Sequence, residues 1–281
     1  MEKRALKLLA LKDVKGYGNK RILDMIKADG DLSNVYTTFL KSSLIDEKKL
    51  IQYEKILDFC KENKIHVISY FDEIYPSNLK KISSPPLLLF AKGNLDLLKM
   101  PSISIVGTRQ ASKKSVDWAY NSSKELANLG YVIISGGALG IDTAAHKGAL
   151  GTICVLGSGL NNLYPKENVS LFETISQKGL LISEHAPENH VSPVSLLERN
   201  RITSGLGDKI LIVCTKLKGG AMSQYKVALS QKKEIFCPNP DLSLEPIEGI
   251  NQIVRDNKKV KVINEVKDIL EENQKILTVF N

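Results

Sequence analysis

Glycine, hydroxyl and basic side chains gather in a few short segments whose spacing suits the binding of a phosphate. In "VGTRQAS" (Val106 to Ser112), Gly107, Thr108 and Arg109 put backbone amides, a hydroxyl and a guanidinium side by side, a set that fits an oxyanion better than a neutral group. In "SGGALGID" (Ser135 to Asp142), Ser135, Gly136, Gly137 and Gly140 stand where an apolar run hands over to helix-forming residues. Glycine there admits positive φ and the close approach of a ligand or of another backbone. "LGSGLNNLYPKEN" (Leu156 to Asn168) repeats the theme, and "KLKGGAMSQ" sets Lys216 and Lys218 before a Gly-Gly turn. In "LERNRITSGL" (Leu197 to Leu206) two arginines lie two apart, on roughly opposite sides of a helix. Glu198 and Arg201 have the spacing of a helical salt bridge, which leaves Asn200 and the other arginine to line a site. Some of these groups have structural alternatives. Arg109 could pair with a carbonyl or carboxylate at a helix end, Asp142 is placed to cap the helix it begins, and Ala144 and Ala145 allow close packing. His146 is expected to be packed or solvent-exposed rather than catalytic, because no Ser, Cys or metal-ligand partner is evident.

The elements that must position these segments follow from periodicity. Residues 1–65 show helical spacing, as in Leu6, Leu9 and Ala10, or Ile22, Met25 and Ile26. Between the first two helices "VKGYG" forms a glycine hairpin of the helix-hairpin-helix kind, with Lys15, Lys20 and Arg21 as candidate contacts to a nucleic-acid backbone. From residue 66 to 281 strands and helices alternate. Strands are expected near 67–71, 87–90, 103–106, 131–134, 153–156, 180–183, 210–214, 234–237 and 260–263, with helices at 112–129, 142–150, 169–177, 196–205 and 221–231. This is the pattern of an α/β, Rossmann-like, doubly wound and mostly parallel sheet preceded by a small all-helical domain. Ligands of such sheets bind at the C-terminal strand ends, at the switch point, which is where the glycine loops fall. The glycine spacing matches neither G-x-G-x-x-G nor the lysine-containing P-loop, so an ordinary NAD or ATP site is not expected.

Composition sets broader limits. In 281 residues, 39 Lys and Arg against 31 Asp and Glu leave a net charge of +8, which favours a polyanionic partner. Cys60, Cys154, Cys214 and Cys237 are widely spaced and lack zinc-site spacing, and they read as reduced core residues of a cytoplasmic protein. The N-terminus is too charged for a signal peptide and no apolar run is long enough to span a bilayer. Aromatic residues are 6% of the chain and none interrupts the glycine loops, so phosphate contact should outweigh base stacking, with Tyr164 as one available platform.

Taken together, the segments YPSNL with PPLLLFAKGN, IVGTRQAS, ISGGALGIDTAAH, CVLGSGLNNLYPKEN, LISEHAP and ERNRITSGL, with GINQIV as a weaker late match, resemble the DNA-processing protein A (DprA/Smf) family in order and spacing. The resemblance implies an extended Rossmann-like domain after a SAM-like, helix-hairpin-helix domain. It implies a homodimeric, non-enzymatic protein without a cofactor or metal, which binds single-stranded DNA and hands it to the RecA recombinase during natural transformation. The phosphate pocket it implies comprises Gly107, Thr108, Arg109, Ser135, Gly136, Gly137 and Gly140, with Asn200 and Arg201 beside it and Lys216 and Lys218 as accessory contacts. The chain departs from the family at Leu139, where a basic or polar residue is usual, at Leu196 and Leu197 in place of Phe-Pro, at Gly219 to Gln224, and at Pro238-Asn239. With Asn281 as its last residue, a C-terminal winged-helix-like domain is not expected. Two other function classes compete. A nucleotide-binding or nucleotide-hydrolysing Rossmann-like enzyme would carry P-G-G-x-G-T-x-x-E, whose Thr and Glu "KGGAMSQ" lacks. A polyanion-sensing adaptor in mobile-element recombination or defence would use the same pocket.

Overall fold

A computed structural model describes residues 2–149 and 151–270. Four helices come first: α1 (Glu2–Lys12), α2 (Asn19–Asp29), α3 (Leu32–Lys41) and α4 (Leu50–Glu62). Nine strands follow: β1 (His66–Ser69), β2 (Leu88–Gly93), β3 (Ser102–Val106), β4 (Val132–Ser135), β5 (Thr152–Val155), β6 (Leu180–Ser183), β7 (Lys209–Ile212), β8 (Glu234–Pro238) and β9 (Lys261–Ile263). Between them lie α5 (Ser77–Lys80), α6 (Lys113–Asn128), α7 (Ile141–Gly148), α8 (Val169–Lys178), α9 (Pro193–Leu206), α10 (Gly220–Ser230) and α11 (Glu248–Asp256).

The strands form one sheet in the order β1-β2-β6-β5-β4-β3-β7-β8-β9. From β6 to β9 every pair is parallel, and strands β3 to β7 are buried at each residue. Helices cover both faces, which is why these strands read as unbroken apolar runs rather than alternating ones. β1 and β2 are antiparallel to their neighbours. Parallel strands need a crossover of a dozen or more residues, usually through a helix. The chain between β1 and β2 contains only the four-residue α5, and it returns antiparallel.

Two large buried clusters hold the layers together. One joins the N-terminal helices to the sheet, running from Leu8, Ile22 and Phe39 through Phe90 to Phe172 and Ile182. The other packs α6 and α7 on the opposite part, through Ala119, Leu126, Ile141, Ile105 and Leu211. Fully burying a side chain of this size contributes about 1.5–3 kcal/mol. Three helices differ from the sequence expectation, the short α5 being one that was not expected. α9 begins at Pro193, three residues early, because Ser192 and Ser195 form a reciprocal capping box and proline suits the first helical position. α11 stands where no helix was expected.

Candidate functional site

The chain lays down β3 to β6 in one direction and returns to place β7 on the other side of β3, which makes the β3/β7 boundary the switch point. Beyond the C-terminal ends of these two strands opens a cleft of about 740 Å³ whose wall includes Gly107, Thr108, Arg109, Lys216 and Lys218. A smaller cavity of about 280 Å³ adjoins it and shares Arg109, Ala138, Tyr164, Leu196 and Arg199. Arg109 is exposed and has no ion-pair partner among the described residues. The Lys216 ammonium donates to Gln110 Oε1 at 2.8 Å across the mouth, and Lys218 is exposed. Thr108 anchors the first loop by donating its amide to the Cys214 carbonyl at 3.0 Å, while its hydroxyl oxygen accepts the Gln110 amide at 3.3 Å.

Of the second glycine segment only Ala138 and Asp142 border the cleft and Gly136 borders the adjoining cavity, whereas Ser135, Gly137 and Gly140 border neither, and most of the segment's polar groups are spent on the protein itself. Ser135 is fully buried and donates its hydroxyl to the Ile105 carbonyl at 2.6 Å. The Gly136 and Ala138 amides donate to Asp142 Oδ2 at 3.2 and 3.3 Å. Asp142 therefore does not cap the helix ahead of it. The cap position belongs to Gly140, with no side-chain bond, and the carboxylate ties down the loop behind. Burial pushes the Asp142 carboxyl up from its ordinary range, while Arg199 and the two amides pull the other way. The glycines answer to neighbours in the fold. A Cβ on Gly136 would lie 1.4 Å from Arg199 Nη1, and one on Gly140, at φ +79°, would lie 2.5 Å from the Thr108 carbonyl. Gly137 packs against Phe172, and Gly107 against Ile141.

α9 sends its two arginines to different places. Arg199, 6% exposed, reaches under the loop at Gly136, donates Nη1 to the Val155 carbonyl at 3.1 Å and contributes to both cavities. Arg201 lies away from them, and its partner is Glu184 at 2.6 Å rather than Glu198, with the Lys12 ammonium donating to the Glu184 carbonyl. Asn200 borders the cleft, its carbonyl accepting the Gln224 amide at 2.8 Å. Arg199 is thus the arginine of this segment that meets the site. The spacing of two, which puts the arginines on roughly opposite sides of the helix, signalled that they differ in role, but the resemblance named Arg201 and the structure brings Arg199.

The remaining candidates are dispersed. Lys15 and Lys20 are exposed on the α1–α2 hairpin, and Arg21 lies over the Tyr17 ring at 4.1 Å. None of the three borders the cleft. His146 is buried, its Nδ1 lies 2.8 Å from Thr152 Oγ1, and burial with the nearby Arg199 lowers its pKa to about 3, so the ring is neutral. All four cysteines are buried as free thiols, and burial pushes Cys60 and Cys237 up to about 12. Among the described residues no group of three or more His, Cys, Asp and Glu side chains is placed to hold a metal, and no helix is long and apolar enough to cross a membrane. The arrangement can bind an anion: Arg109, Lys216 and Lys218 line the cleft, with the Asp142 carboxylate also in its wall and Glu167 in that of the adjoining cavity.

The family described as DNA recombination-mediator protein A matches residues 66–274. The DNA processing protein DprA of Streptococcus pneumoniae is 34% identical over 213 residues, 74% of this chain and 74% of its own. That of Bacillus subtilis is 35% identical over 223 residues, 78% of this chain and 74% of its own. The X-ray structure of the Streptococcus pneumoniae protein superposes with a TM-score of 0.78 at 28% identity, covering 95% of this chain and 97% of the other. A structure of Helicobacter pylori DNA processing protein A, concerned with its single-stranded DNA binding mode, gives 0.69 at 29% identity, covering 75% of this chain and 96% of the other. With the match running through the whole sheet and both glycine loops, this chain belongs to the DNA recombination-mediator protein A family, that of the DprA and Smf proteins.

Proposed function

We propose that this protein binds single-stranded DNA, without reading its sequence, in the cleft at the C-terminal ends of β3 and β7. The observation that carries the reading is Arg109, an exposed guanidinium without an ion-pair partner among the described residues, set at the switch point beside Lys216 and Lys218. A guanidinium fork and two ammonium groups around one concavity fit a phosphodiester backbone. The Helicobacter pylori relative, whose single-stranded DNA binding mode is described, supports the same ligand. On this reading the protein is a binding protein rather than an enzyme. It works in the cytoplasm as a homodimer and hands strands to RecA during transformation, as the family resemblance implies. Light scattering of the free protein and a RecA pull-down on coated strands check those last two features.

The cleft itself is tested by titrating single- and double-stranded oligonucleotides against wild type and Arg109→Ala over a range of salt. Charged hydrogen bonds are worth about 1.5–3 kcal/mol. Arg109→Ala should therefore weaken single-strand binding by about 10- to 100-fold. The log-log salt slope should become shallower by roughly 0.7 for each phosphate released. Binding that ignores both the substitution and the salt would rule the cleft out.

A further inference from the structure

Arg199 is a buried cation whose bonding is unfinished. Of its three nitrogens, Nη1 donates to the Val155 carbonyl, Nε is enclosed with no partner, and Nη2 makes no hydrogen bond among the described residues. No carboxylate forms an ion pair with it among those residues. Asp142 acts on it through space, but that carboxylate is already engaged by two loop amides. Arg109, a second guanidinium, faces the same cavities and opposes it. Taking a charge out of water is costly unless it is paired and hydrogen-bonded. A side chain placed there for stability alone would be expected to bring its counter-charge with it. The chain instead leaves out a side chain at Gly136, where a Cβ would overlap the guanidinium, and sets the charge against two cavities in which Arg109, Lys166, Lys216 and Lys218 outnumber the Asp142 and Glu167 carboxylates.

We propose that Arg199 is a direct ligand of a phosphate group in the cleft, the missing hydrogen-bonded partner being the ligand's oxyanion. This inference rests on the reading of the cleft as the single-stranded DNA site. It adds a residue that differs from Arg109 in kind. Arg109 is exposed and meets the backbone from solvent, whereas Arg199 is pre-set within the wall and gains its pairing only on binding. Its burial makes the unliganded cleft a source of instability that an oxyanion relieves.

The test combines thermal unfolding with DNA titration for wild type, Arg199→Met and Arg199→Lys. Inorganic phosphate is the probe in the first arm and a single-stranded oligonucleotide in the second. Phosphate should raise the wild-type melting temperature saturably and leave that of Arg199→Met unmoved. In phosphate-free buffer Arg199→Met should melt at or above the wild-type temperature, since it removes an unpaired buried charge while keeping most of the volume. Its single-strand affinity should fall at least tenfold, with a salt slope shallower by roughly 0.7. Arg199→Lys, which keeps the charge without the fork, should retain part of the phosphate response. A phosphate-free melting temperature well below wild type, or failure of Arg199→Met to fold, would make Arg199 a structural tie between α9 and β5 and overturn the proposal. Unchanged phosphate response and DNA affinity in Arg199→Met would overturn it equally. The broader reading fails differently. In that case wild type itself does not bind single strands, or Arg109→Ala binds them as well as wild type does.

Discussion

Asp142 accepts the Gly136 and Ala138 amides from a buried position, and this one side chain sets the shape of the glycine loop. A buried amide left without a partner costs about 1–3 kcal/mol. Asp142→Ala should therefore lower the free energy of unfolding in urea by about that amount per amide and weaken single-strand binding with it. Asp142→Asn, which keeps an acceptor oxygen, should retain much more of both. A loop that depended on its glycines alone would leave Asp142→Ala indistinguishable from wild type. At this scale the sequence told only part of the story. Three glycines after a buried strand read as a phosphate loop, but Gly136 and Gly140 are glycines because Arg199 and the Thr108 carbonyl pass within contact of them. Those neighbours lie 63 and 32 positions away in the chain. A glycine required by a ligand and one required by a distant segment look alike in sequence, and only tertiary packing separates them.

Among the elements, α9 carries most of the consequences for the site, since its rotation decides that Arg199 and not Arg201 meets the cleft. That rotation is pinned at the N-terminus. Ser192 Oγ accepts the Ser195 amide at 3.0 Å and Ser195 Oγ accepts the Ser192 amide at 2.9 Å. Loss of such a cap costs typically about 1 kcal/mol. Ser192→Ala should lower stability by about that amount in chemical denaturation while leaving single-strand affinity within a few-fold, because Arg199 is also held near the other end of its reach by the Val155 carbonyl. An affinity loss as large as that of Arg109→Ala would mean that the helix start, not the strand contact, orients the arginine. The helix start was legible in "SPVS", a serine, a proline and a second serine at capping-box spacing, yet hydrophobic spacing placed it at Leu196. The central strands were readable because burial on both faces leaves apolar runs. The antiparallel turn of β1 and β2 was not, because it depends on how short the intervening α5 is.

For the whole molecule, the packing that closes the fold beneath the cleft also sets its response to acid. His146 sits under the glycine loop, 3% exposed, with Nδ1 against Thr152 and Nε2 enclosed without a partner. Thr152 donates its own hydroxyl to the Ile133 carbonyl, so it accepts from the histidine and fixes the neutral tautomer. Burial, with Arg199 adding to it, brings the folded-state pKa from 6.5 to about 3. The unfolded chain thus binds a proton at this site below about pH 6.5 that the folded chain refuses until about pH 3. Stability is whole above the unfolded value and falls with pH beneath it, by about 1.4 kcal/mol per unit. His185 is shifted in the same direction, by burial and then by Lys12 and Arg201 beside it, opposed by Glu184. Comparing wild type with His146→Gln between pH 6.5 and pH 5, above the range where ordinary carboxylates titrate, isolates the effect. Wild type should lose about 2 kcal/mol over that interval, and the variant should lose clearly less, whatever its starting stability. Equal slopes would mean that His146 takes up its proton in the folded state, and that the space beneath the loop opens to water as the pH falls.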